Sequence, residues 1–249
     1  MALRGAIGTL LLLCAAAAPA AAQSSPGRFW IGVSGGVQGT SNGFGDAFDV
    51  TSQFQDPEQA TATAQYPVKT GALVDGRVQV RLWKGFAVGV GVTHYSQRGD
   101  ASITARVPHP LQFNQFRTVE GTTSTRRGEI GTHLQFAYMV PLGERLRVTG
   151  FAGPSRLSVE QTFITDVQYT QTFPFDTATF SGATTRRSTA SAIGFNAGAD
   201  VAWMFSRRVG AGALVQYSAA SVEEDAADNR RIALDAGGIQ TAVGIRLIF

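Results

Sequence analysis

Cysteine is nearly absent from this 249-residue chain, which has only Cys14. That residue lies in an apolar N-terminal stretch, so the body of the protein has no thiol for a disulfide, a thiolate metal site or cysteine catalysis. Histidine is scarce too: His94, His109 and His133 form no cluster with metal-ligand spacing, and neither a metal nor a cofactor is expected. Beyond the N-terminal run, no apolar stretch approaches the roughly 20 residues that a spanning helix needs. Neither sign of charge dominates, since 21 Lys+Arg face 18 Asp+Glu, a balance too even to imply nucleic acid, and no nucleic-acid partner is expected. A helical stripe of period 3.6 is also missing.

The N-terminus carries an export signal. Arg4 is the only charge ahead of the apolar run from Ile7 to Ala18, and Ala20-Ala21-Ala22 supplies an A-x-A cleavage site. Residues 1–22 are therefore expected to be a signal peptide, leaving one domain over residues 23–249. Leu13 stands before Cys14, where a lipoprotein signal would place a small residue, which argues against acylation.

The remainder contains eight runs of period-2 alternation, the pattern of strands with one apolar face. The clearest sets Val74, Gly76, Val78, Val80 and Leu82 against Asp75, Arg77, Gln79 and Arg81. Others place Ile130, Leu134, Phe136, Tyr138 and Val140 against Glu129, His133 and Gln135, and Ile239, Val243, Ile245, Leu247 and Phe249 against Gln240, Gly244 and Arg246. The fifth run blurs at Gly153-Pro154, where proline cannot donate to a ladder and a bulge or bend is expected. Connections alternate between short ones, near 83–85, 141–144 and 206–208, and long ones, near 40–70, 99–127, 160–188 and 219–235. All long loops then fall at one end, as in spanning barrels with an even strand number.

Alternation alone does not distinguish a soluble barrel from one in lipid. Phe29, Trp83, Phe86, Tyr138, Trp203, Phe205 and Phe249 are expected at one depth near the short turns, with Tyr95 and Tyr217 at the other end, forming two aromatic girdles. The opposite face is rich in glycine and in charges of both signs, which suits the narrow interior of eight strands. The fold class expected is all-β, an eight-stranded antiparallel transmembrane up-and-down β-barrel.

With its closing Gly244-Ile245-Arg246-Leu247-Ile248-Phe249 segment, the sequence resembles the OmpA-type and OmpX-type small barrels, the outer-membrane β-barrel domain proteins. The resemblance covers nearly all of residues 28–249. It implies a Gram-negative outer-membrane location after export through the periplasm, contact with outer-membrane lipid and lipopolysaccharide, and recognition of the strand ending in Phe249 by the barrel-assembly machinery. A monomer is expected. The peptidoglycan-binding domain of the longer members is not implied here.

Asp75, Arg77, Arg81, Glu129, His133, Asp200 and Arg246 are expected to form a polar network in the lumen, neutralising one another. Arg126-Arg127, Arg186-Arg187 and Arg230-Arg231 each precede a descending strand, so they are expected to share one rim that binds lipopolysaccharide phosphates. His94 and Ser96 face outward and resemble the His-x-Ser pair of lipid A deacylases, although Gln97 replaces the asparagine that follows the serine there. The leading functional expectation is a non-enzymatic structural or adhesin-like role through the external loops, with a lipid A-modifying enzyme or a narrow pore as alternatives.

Overall fold

The computed structural model describes residues 28–39, 43–51, 58–226 and 230–249. The leader predicted over residues 1–22 lies outside them. Among the described residues there are ten strands and no helix: β1 (Phe29–Gly39), β2 (Phe44–Val50), β3 (Ala60–Tyr66), β4 (Gly71–Trp83), β5 (Phe86–His109), β6 (Gln112–Leu142), β7 (Leu146–Gln171), β8 (Ala178–Met204), β9 (Val209–Asp225) and β10 (Arg231–Ile248). Eight of them, all but β2 and β3, form an antiparallel ring. The seam between β1 and β10 runs from Trp30↔Ile248 to Gly39↔Ile239. Phe29 and Phe249 exchange two backbone hydrogen bonds, of 3.0 and 2.9 Å, below it. Closure leaves no unpaired strand edge within the ring.

The predicted long loops are themselves largely strand. β5–β6 and β7–β8 continue well beyond the ring as hairpins, and β9–β10 is a shorter one. The first long connection supplies the two additional strands. β3 pairs with Ser102–Arg106 of β5, just beyond the point where β4 leaves it at Ala72↔Ser96, and so continues the wall that β4 abandons.

Within the ring, period-2 alternation turns Val33, Val90, Phe136, Val215 and Val243 outward and Ser34, Asp75, Gln135, Gln216 and Arg246 inward. The stretch Ile193–Trp203, at about 3.3 Å per residue and a tilt of about 40°, covers about 25 Å, the height of a lipid-facing band. Phe29, Trp83, Phe86, Tyr138, Trp203, Phe205 and Phe249 are all exposed near the short-turn end of this band, as one girdle requires. Tyr95 does not join the opposite girdle. It points into the lumen, buried, and its hydroxyl donates to Lys69 O at 2.7 Å. Its place on the Gly89-Gly91-Thr93 phase dictates this orientation. Tyr217 is outward and packs against Phe195, with ring centroids 5.9 Å apart.

The Gly153-Pro154 region holds no bulge. β6–β7 pairing lapses between His133↔Ser155 and Phe136↔Ala152 without a shift of register. Pro154 has no N–H to offer, and the Asn196 side-chain amide takes over, donating to Leu134 O at 3.3 Å, Gly153 O at 2.9 Å and Pro154 O at 3.3 Å. Glycine is required at 153, because a Cβ there would stand 2.1 Å from Leu134 O.

Candidate functional site

The lumen of the ring is filled by a polar network supported on apolar side chains. Asp75 and Arg77 are two residues apart on one strand face, and they pair through Nε–Oδ1 at 3.0 Å and Nη2–Oδ2 at 2.9 Å. Arg246 reaches from β10 past β9 to Asp200 on β8, with Nε 3.1 and 3.0 Å from the two carboxylate oxygens, and Nη1 donates to Ser34 at 2.8 Å. Gly212 clears that path, since a Cβ would lie 2.8 Å from Arg246 Nε. Glu129 accepts from Arg127 and Gln38, both at 2.8 Å, and from Gly237 N at 2.9 Å. His133 does not contact Glu129, four residues away. Its ring nitrogens meet Thr93 Oγ1 at 3.0 Å and Ser155 Oγ at 2.8 Å. Arg81 is half-buried nearer the short-turn end, within electrostatic range of Arg147.

Neutralisation is therefore pairwise rather than shared among the seven expected residues. Glutamines link the pairs: Gln79 to Gln135, Gln135 and Arg77 to Gln216, and Gln240 to Gln38 and Ser218. Charge alone singled out none of these amides, yet each occupies the inward phase of its strand. Breaking one of the buried charge pairs strands a desolvated ion, whereas the intact pair costs little. The arrangement holds strands in register and contains no conspicuous reactive group.

The arginine pairs do not share a rim. Neighbouring residues on a strand point to opposite faces, which parts Arg127 from Arg126 and Arg230 from Arg231, whereas Arg186 and Arg187 are both exposed. Arg126 is exposed, whereas Arg127 is buried in the lumen against Glu129 and donates to Asp235 O. Arg187 is exposed and meets Glu160 at 3.4 Å. Arg230 turns in, pairs with Asp46 and stacks on Phe48, while Arg231 meets Asp225 at 3.6 Å in solvent. Arg98 was not singled out in the sequence, but it lies directly across from Arg126.

His94 and Ser96 do face outward, near the upper edge of the apolar band. Their cross-strand neighbours are Val74 and Ile130 for His94, and Ala72 and Gly128 for Ser96. None of these can orient an imidazole or bind an oxyanion through its side chain.

Above the band the interior is apolar. Phe48, Val50, Tyr66, Ile103, Val107, Val119, Val159, Phe163, Val167, Tyr169, Val222 and Leu234 form a continuous core. Three titratable groups are caught in or beside it. Burial pushes the Tyr66 hydroxyl up to about 12 while it accepts a hydrogen bond from Ile164 N at 2.8 Å, and burial raises Asp46 despite Arg230. Glu224 is fully buried and neither of its oxygens has a well-formed hydrogen bond. Burial raises its carboxyl to about 7, only partly offset by Arg127 and by weaker pulls from Ser188 and Gln161.

At the far end, the tips of β5–β6 and β7–β8 are joined by Arg117. It donates to Gln171 at 2.5 Å, Phe175 O at 2.8 Å and Pro108 O at 2.6 Å. His109 caps an ordered turn by accepting from Leu111 N at 3.1 Å. Around this junction Leu111, Phe113, Phe116 and Phe173 are exposed, Phe173 at 75%.

The crystal structure of the outer membrane protein OprG from Pseudomonas aeruginosa is similar over 90% of this chain and 96% of its own, at 11% identity and a TM-score of 0.47. That of Ail, the attachment invasion locus protein of Yersinia pestis, in complex with the heparin analogue sucrose octasulfate, is similar over 88% of this chain and 99% of its own, at 8% identity and a TM-score of 0.38. Neither likeness is close enough to carry an inference about function. The search of curated proteins gives no match. The family described as outer membrane protein beta-barrel domain matches residues 8–246. With that match across almost the whole chain, and eight antiparallel strands closed around a polar lumen, the chain belongs to this family and is a barrel of the Gram-negative outer membrane.

Proposed function

We propose that the protein is a surface-interaction protein, adhesin-like, that holds a rigid attachment platform outside the cell. The observation that carries this reading is the tip, where four large apolar side chains are exposed on two hairpins locked together by Arg117. Single exposed apolar residues are ordinary, but a cluster on a braced tip far from the lipid band is a contact surface. The apolar core beneath it keeps the tip in place, so little ordering is needed on contact. Long hairpins of such barrels stand on the outer side, where partners are met.

The test compares cells that display the wild type with cells that display Leu111→Ser/Phe113→Ser/Phe173→Ser, scored for adherence to an apolar surface and for cell–cell aggregation. Adherence is expected to fall several-fold while heat-modifiable gel migration stays unchanged. Equal adherence by well-folded variant cells removes the platform reading.

A second reading, lipid A deacylation, is favoured by one observation: His94 and Ser96 share the outward face at the edge of the band. Lipid A mass spectra with and without the protein test it. Loss of acyl chains that depends on both residues supports it, and identical spectra overturn it.

A further inference from the structure

We propose that the outward face of β5, β6, β7 and β8, just above the apolar band, is a binding site for the phosphate groups of a phosphorylated glycolipid in the outer leaflet. The row is built by register. Arg98 on β5 lies opposite Arg126 on β6, and one strand further on Thr162 of β7 lies opposite Arg187 of β8. These residues line a hollow of about 600 Å³ together with Gly99, Asp100, Ser124 and Thr125. Lower on the same face, Arg156 sits beside Ile193 at the edge of the band and donates to Ser191 at 3.2 Å.

Three observations point to an anion here. Like charges directly opposite one another across an antiparallel pair are destabilising, yet Arg98 and Arg126 occupy such a pair with no carboxylate between them. Neither makes an ion pair among the described residues. Two acids lie nearby: Asp100 lines the same hollow and accepts from Ser124 at 2.8 Å, and Glu160 meets Arg187 at 3.4 Å. Four arginines thus stand against two carboxylates, an excess of positive charge, and neither carboxylate forms an ion pair with the two directly opposed arginines. A phosphate between Arg98 and Arg126 would accept from both planar guanidinium forks and turn their repulsion into two charge-assisted contacts.

Depth selects the source of the phosphate. Arg126 is four residues above the lipid-facing Ile130, about 13 Å along a tilted strand and so about 10 Å in height, within the headgroup layer rather than in open solvent. A headgroup phosphate is confined to that layer at high local concentration, whereas a soluble polyanion would meet the tip first. The site is separate from the tip platform and remains if that platform is disproved.

The experiment uses the full-length protein in detergent, titrated with bisphosphorylated lipid A, with the same lipid after phosphatase treatment, and with inositol hexakisphosphate as a soluble phosphate. The wild type is expected to bind the phosphorylated lipid at least ten-fold more tightly than the dephosphorylated one. R98Q/R126Q is expected to lose that preference, while R231Q, outside the row, and the tip variant keep it. Heat-modifiable migration confirms that each variant is folded. Equal affinity for the two lipids, or an undiminished preference in R98Q/R126Q, overturns the proposal. Inositol hexakisphosphate that binds as tightly and displaces the lipid overturns the lipid as the source.

Discussion

The barrel wall within the band and its continuation above the band are made of the same strands with opposite polarity. In the band, β6 turns Ile130, Leu134 and Phe136 outward and Glu129, His133 and Gln135 inward. Higher on the same strand Val119 is inward, while Thr118 and Glu120 are outward. β5–β6 pairing runs through the change without a shift of register, from Phe86↔Tyr138 up to Pro108↔Phe116. The apolar phase therefore switches while the backbone geometry does not. Lipid outside the band cannot satisfy polar groups, so they pair in the lumen; water outside the continuation solvates Thr, Ser and charge, so burial of apolar area holds that part together. One chain uses a membrane barrel and a soluble-type core end to end.

The largest effect that separates the two regions is the removal of a carboxylate. Asp200→Ala leaves the Arg246 guanidinium buried and unpaired, and is expected to cost about 3 to 5 kcal/mol. Glu160→Ala, which breaks the exposed pair with Arg187, is expected to cost under about 1 kcal/mol. Urea midpoints of heat-modifiable folding measure both. Replacing Asp200 and Arg246 together by apolar residues should recover most of the loss, because the cost lies in the stranded charge. Similar losses at Asp200 and Glu160 would erase the distinction between the regions.

The ring was legible in the sequence because each spanning strand carries a strong apolar set, and the inward residues Asp75, Arg77, Glu129, His133, Asp200 and Arg246 follow from the phase. The continuation was legible in principle. Ala101, Ile103, Ala105 and Val107 alternate cleanly with Ser102, Thr104 and Arg106, as do the alanines of Ala60-Thr61-Ala62-Thr63-Ala64. Small inward residues and a polar average disguise these stretches as loop. Reading them as loop also produced the mistaken rim, since consecutive arginines such as Arg126-Arg127 must part once the segment is a strand. The lumen glutamines lie on the polar phase of the sequence but were left out of the expected network, because a neutral amide carries no charge signal, although Gln38, Gln135 and Gln216 are almost fully buried. Partnering of Asn196 with the carbonyls around Pro154 joins three strands and has no local trace.

A charge added at two outward positions tests the inversion directly. Val243→Arg, midway up the band, places a guanidinium in hydrocarbon and is expected to cost about 2 to 4 kcal/mol. Ser221→Arg, outward on β9 above the band, meets water and should stay within about 0.5 kcal/mol of the wild type. Folding yields and urea midpoints in vesicles compare them. Equal penalties would place lipid against both positions and contradict the change of environment.

Glu224 gives the smallest and most local test, because it is a carboxyl placed on the inward phase where that phase has become apolar. Its carboxyl is raised by burial to about 7 from an ordinary value of 4.5. Between those pH values the folded continuation holds a proton that the unfolded segment has released. Stability from this group is therefore fully present below about 4.5 and is lost as pH rises through about 7, a change of at most about 3 kcal/mol. Asp46, also raised by burial, adds a dependence of the same sign, so the wild-type slope alone does not isolate Glu224. Glu224→Gln does. Amide protection in Ser221–Asp225 and Arg231–Asp235, taken relative to the intrinsic base-catalysed exchange rate at each pH, should be higher at pH 5 than at pH 8 in the wild type, with most of that difference gone in the glutamine variant. Protection in the ring strands should respond to neither change. A wild-type pH response that survives intact in Glu224→Gln would mean that this carboxyl is already charged in the folded protein. The interior at that level would then have to be wet, and the apolar core would begin higher up the hairpins.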